Sequence, residues 1–147
     1  MNIFTKWEIE KYDSNRKLYE TLKVDNNLIL KQGLEWLFQC LWGETLGDLI
    51  VKVGDSQIPV DWLDTDLKGT NTAYGNFIYQ TYYTSQYGPD GWIVVISEFL
   101  NGIAIFDWNE IGISSSNTLI NRKVYPIGTK KIGDIWRVRA LLWFKCS

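Results

Sequence analysis

Residues 132–144 constrain this chain most, because Trp136, Val138, Ala140, Leu142 and Phe144 occupy every second position. A period of two belongs to a β-strand with one face in a core. Arg137 and Arg139 fall on the other face until Leu141 and Trp143 replace them, so the strand ends apolar on both faces. Such an end needs cover on both sides, from its own domain or from a neighbouring subunit. The start of the chain repeats the alternation: Thr5, Trp7 and Ile9 interleave with Lys6, Glu8 and Glu10. Asp13-Ser14-Asn15 supplies turn chemistry, and 17–24 reads as a returning strand, which makes an opening hairpin.

Between 28 and 42 the period changes. Leu30, Leu34, Leu37 and Leu41 stand at helical spacing with Cys40 beside them, Asp25-Asn26-Asn27 offers capping oxygens, and Gly43 stands where a helix stops. Gly33 weakens this helix, while Trp36, Phe38 and Trp42 widen its apolar face so that something must cover it. Strand patterns follow at 49–53 and at 73–84, the latter with Phe77, Tyr79 and Thr81 on one face and Ile78, Gln80 and Tyr82 on the other. Tyr87-Gly88-Pro89-Asp90-Gly91 is a turn before a strand at 92–99, and Asn101-Gly102 reads as a hairpin leading into 103–106. A polar loop at 114–117 precedes a strand at 119–125.

No repeat or linker divides residues 1–147, so a single β-rich domain is expected: a two-layer β-sandwich of jelly-roll type with one packed helix at 28–42. A chain of this length buries roughly 70% of its unfolded surface and sustains a core without staples. Eight Trp, eight Tyr and six Phe agree with a sheet-rich fold. Trp7, Trp136 and Leu142 fall in register with other apolar residues, so at least some of the tryptophans belong to the core.

Composition also narrows the chemistry. Seventeen acidic and fifteen basic residues are dispersed, with a net charge of −2, so neither nucleic acid nor anionic lipid is an expected partner. Residues 1–10 lack the apolar segment of an export signal, and no run of eighteen apolar residues occurs; a soluble chain is expected. The complete absence of histidine removes the commonest general base and the commonest zinc ligand. Cys40 and Cys146 read as apolar packing residues, with a bridge between them left open.

Asp61, Asp64 and Asp66 form a D-x-x-D-x-D cluster that does not match the spacing of a calcium loop and reads as a polar turn. Glu98, Asp107 and Glu110 lie near Trp92 and Trp108, but carboxylate pairs of that kind occur in most domains of this size. Glu110 is better explained as a buried or half-buried carboxylate bonded to backbone amides or to Arg122. Phosphate-binding glycine motifs are absent, and neither Ser115 nor Cys40 has an activating base. No catalytic, cofactor-binding or metal-binding residue is assigned, and the chain is not expected to be an enzyme. Exposed Trp and Tyr rings leave carbohydrate binding as the alternative.

Several segments, in order, resemble small virion proteins of tailed bacteriophages and prophages. They are Asn27-Leu28-Ile29-Leu30 running into Gly33-Leu34 and Leu37, Val53-Gly54-Asp55-Ser56 with Pro59-Val60, and Asp64-Thr65-Asp66-Leu67. Trp108-Asn109-Glu110-Ile111-Gly112-Ile113, Leu119-Ile120-Asn121-Arg122 with Lys130, and the final strand at 138–144 complete the set. The resemblance implies a structural protein of the capsid-decoration, head-fibre or tail-adaptor kind, located in the virion after assembly in the bacterial cytoplasm. Its implied partners are copies of itself, as a trimer, and other capsid or tail proteins. The helix, the two-faced end at 141–144 and the N-terminal hairpin are the expected contact surfaces.

Overall fold

The structure, a computed structural model, describes residues 2–26, 28–41, 43 and 47–145. Asn27, Trp42 and Cys146 lie outside the described residues, and with them a cap by Asn27 and any Cys40–Cys146 bridge. The expected two-layer β-sandwich is present, built from two antiparallel sheets.

The first sheet has the order β2-β1-β11-β7-β6, from β1 (Asn2–Tyr12), β2 (Leu18–Asp25), β6 (Asn76–Thr84), β7 (Gly91–Phe99) and β11 (Ile135–Lys145). The second runs β3-β10-β8-β4-β5, from β3 (Leu28–Ile29), β4 (Leu49–Gly54), β5 (Thr72–Tyr74), β8 (Asp107–Ser115) and β10 (Asn121–Thr129), with β9 (Thr118–Leu119) paired to β8. First and last strands are neighbours: β1 and β11 pair from Asn2↔Lys145 to Tyr12↔Ile135. The alternation in β11 is real, with Trp136, Val138, Ala140 and Leu142 buried against Val51, Val53, Trp108 and Ile113 of the facing sheet in one core. Trp7, Trp108 and Trp136 are all fully buried.

Helix α1 (Lys31–Leu41) is shorter than its sequence pattern. Leu28 and Ile29 pair instead with Arg122 and Asn121 as strand β3, because their backbone groups find partners on the edge of β10. Asp25 belongs to β2 and is no cap; the Lys31 amide donates to the Trp62 carbonyl, and the Gln32 side chain donates to the Thr65 and Leu119 carbonyls. Gly33 weakens the helix intrinsically yet is required here, since a Cβ would overlap the Ile120 carbonyl oxygen. Burial centres on Gly33 and Trp36, and Phe38 is 58% exposed.

Two strand expectations are corrected. Residues 73–84 are two strands in different sheets, broken at Gly75, where a Cβ would stand 2.9 Å from the Phe99 ring and Ser97 Cβ. A bulge between Phe77 and Tyr79 also moves Phe77 to the face of Gln80 and Tyr82, leaving Tyr79, Thr81 and Tyr83 on the other. Residues 100–106 are a crossover between sheets and not a hairpin, with Ala104 left-handed at φ 57°. Lys130, fully buried, fastens this crossover by donating to the Leu100 carbonyl at 2.9 Å.

Candidate assembly surface

Antiparallel sheets end in strands whose outer N–H and C=O groups are unpaired, and proteins protect such edges with short strands, charges or proline. Among the described strands the two sheets end in β3, β5, β2 and β6, and the two-residue β9 also pairs on one side only. β3 and β5 have two and three residues. β2 carries Glu20, Lys23 and Asp25. β6 has nine residues and pairs only with β7 among the described strands, and no charged residue occurs between Lys68 and Asp90. Phe77, Ile78, Tyr79, Tyr82 and Tyr83 on it are all exposed, Tyr82 by 76%.

The outer face of the first sheet continues this surface. Directly opposed residues share a face in an antiparallel sheet, so Tyr83, Trp92, Trp143 and Phe4 form a row across β6, β7, β11 and β1. Trp92 and Trp143 lie 6.3 Å apart at 16°, Phe4 is 5.7 Å from Trp143, and the Lys6 and Lys145 ammoniums each stand 5.5 Å from the Trp143 ring centre. The Trp143 indole N–H is buried without a hydrogen-bond partner among the described residues. Farther along the same face the side chains are charged, Arg139 lying opposite Glu8 and Arg137 between Glu98 and Glu10. The face therefore divides into an aromatic end and a charged end.

The expected contact surfaces are part core and part exposed, with Leu18 and Tyr19 of the hairpin and Phe38 of α1 on the outside. Trp7 and Ile9 of the opening hairpin and Trp36 of α1 are core residues, and Leu142 at the two-faced end is buried while Trp143 is half-buried under its neighbours. Among the described strands the one with most exposed apolar side chains is β6, where the sequence pattern alone predicts an ordinary strand. Its signal was present as the long uncharged stretch around five aromatic and apolar residues.

Of the candidate carboxylates Asp61, Asp64, Asp66, Glu98, Asp107 and Glu110, only Asp64 and Glu110 meet, and they meet on Arg122. Asp61 accepts the Leu63 amide, Asp66 accepts the Lys52 ammonium at 2.8 Å and the Leu67 amide, and Asp64 turns toward Arg122 and Lys68. Glu98 lies on the outer face, and Asp107 accepts the Thr129 hydroxyl. Among the described residues no group of three or more Asp, Glu, His or Cys is placed to hold a metal.

Glu110 is fully buried and accepts the Lys68 and Gly69 amides at 3.1 and 2.7 Å together with Arg122 at 2.8 Å. Arg122, itself fully buried, also donates to the Asp64 carboxylate at 3.0 Å and to the Ile58 and Pro59 carbonyls. Its donors are thus spent on two carboxylates and two backbone oxygens, all within or beneath the long connection 55–71. The cluster is a fastening for that connection.

Two carboxylates around this connection confer a pH dependence. Burial, the largest influence on Asp64, would raise its pKa, but the Asp61 amide, Lys68 and Arg122 outweigh it and hold the group below the usual carboxylate value. At Asp55 the Asn71 side-chain amide is the main cause of a shift in the same direction. A carboxyl depressed on folding contributes stability that is complete above the unfolded value of about 3.9 and is lost as pH falls through the folded one. Urea midpoints are therefore expected to decline as pH drops below about 4, with a shallower decline in Asp64→Asn. An equally steep decline in that variant would remove Asp64 from the explanation.

Comparison with known protein families, characterised proteins and solved structures finds no match. No helix among the described residues is long and apolar enough to cross a membrane.

Proposed function

We propose that this chain is a structural subunit of a bacteriophage particle, a capsid decoration, head fibre or tail adaptor, which works by associating with copies of itself and with other virion proteins. The order of sequence motifs supports the phage setting. The observation that supports assembly is β6, an edge strand with exposed aromatic side chains and none of the charge that keeps sheet edges apart. Multi-copy particle components associate through repeated, largely apolar contacts, and a specific contact buries roughly 800 Å² on each partner. The aromatic end of the first sheet is continuous with β6 and enlarges the surface available for that purpose.

Carbohydrate binding is the second reading, favoured by the near-parallel Trp92 and Trp143 rings with Tyr83 beside them. The two readings separate on the absolute mass of the purified protein, measured by light scattering behind a sizing column across a wide concentration range. A closed homo-oligomer is expected. A strict monomer whose tryptophan fluorescence responds to added oligosaccharides would transfer the proposal to the sugar-binding reading.

A further inference from the structure

We infer that two copies join β6 to β6, antiparallel about a twofold axis at Thr81, so that the five-stranded sheet doubles across the junction. The inference rests on the reading of the chain as a self-associating subunit and specifies its contact. A twofold axis normal to the sheet returns each side chain to its own face, so the axis passes through a residue and opposes positions equally distant from it. Tyr79, Thr81 and Tyr83 share the outer face, while Gln80 and Tyr82 share the inner one. With the axis at Thr81, Tyr79 meets the partner's Tyr83 and Gln80 meets the partner's Tyr82, each twice. Every exposed tyrosine of the strand thereby gains a cross-strand neighbour.

The occupant is a second copy because nothing in β6 repels itself. Like charges directly opposed across a strand pair are destabilising, and this strand has none to oppose. The row from Phe4 through Trp143 and Trp92 to Tyr83 then continues into the partner's Tyr79 without crossing a charged position. Growth also stops there. The bulge between Phe77 and Tyr79 ends the regular strand, and the opposite edge, β2, carries Glu20, Lys23 and Asp25. The geometry gives a closed pair and an even number of copies, in place of the trimer implied by the resemblance.

Directly opposed residues in an antiparallel pair have Cα atoms about 4.5–5.5 Å apart, within disulfide range. Full-length Thr81→Cys is expected to form an 81–81 disulfide under mild oxidation, identified by peptide mass mapping. Leu18→Cys, on the exposed edge β2, is expected to form no corresponding link. Thr81→Lys, which opposes two ammoniums on the axis, is expected to weaken the dimer at least about tenfold in light scattering without loss of folding. An unmodified protein that is oligomeric by mass, with no 81–81 link or with Thr81→Lys still dimeric, would place the junction elsewhere and leave the structural role standing. A monomer at every concentration would overturn the junction and the role together.

Discussion

Arg122→Ala is expected to cost about 3–5 kcal/mol of folding free energy, because it strands two buried carboxylates. Glu110 is buried beneath the connection 55–71 and Asp64 is buried within it, and the guanidinium is the cation between them. Small proteins have total stabilities of about 5–15 kcal/mol, so a loss of this size leaves a marginal domain. It also releases the Ile58 and Pro59 carbonyls, so the connection is expected to become a site of rapid proteolysis before the sandwich itself unfolds. Lys68→Ala is the matched control: its ammonium is 3.3 Å from Asp64 but partly in water, and such pairs contribute about 0–1 kcal/mol. Urea denaturation of both variants tests the contrast. Similar midpoints would show that Arg122 is not the fastening.

The second large effect separates two tryptophans of one strand. Trp136 is fully buried, lies edge-on to Trp108 at 4.8 Å, donates its indole N–H to the Tyr19 hydroxyl at 2.9 Å, and carries the Lys11 ammonium 4.6 Å above its ring. Trp136→Ala opens a cavity between the sheets and is expected to cost about 3–5 kcal/mol. Trp143, seven residues on, faces outward and is half-buried by Phe4 and Trp92. Trp143→Ala is expected to leave a folded chain, at a cost on the order of 1 kcal/mol, and to weaken assembly by removing the support for Trp92 and hence for Tyr83. Near-ultraviolet circular dichroism against denaturant distinguishes them, and equal loss in the two variants would contradict the assignment of their faces.

What was readable in the sequence follows from which information is local. The alternations in β1 and β11 identified strands and their buried faces because each strand covers the core along most of its length. The partnership of Glu110 with Arg122 and backbone amides was also legible, since a carboxylate among apolar residues needs such partners. Failures occurred where the deciding contact was distant. Leu28 and Ile29 fit a helical stripe equally well, and only the edge of β10 draws them into a strand. Nothing local announces that the chain changes sheets at Gly75, because aromatic and β-branched residues continue on both sides. Asn101-Gly102 has hairpin chemistry, yet the next strand is in the opposite layer.

The pairing of β1 with β11 has a consequence for synthesis. During translation β1 can zip onto β2 at once, but its other side has no partner until β11 has been made. Throughout that interval the nascent chain presents a strand whose side chains include Trp7 and Ile9, both destined for the interior. Closure of the first sheet therefore waits for β11, and chains interrupted before it lack the strand that joins their opening hairpin to the rest. A chain cut short before β11 keeps that side of β1 unpaired and open to chaperones and proteases, while one that has made β11 conceals it.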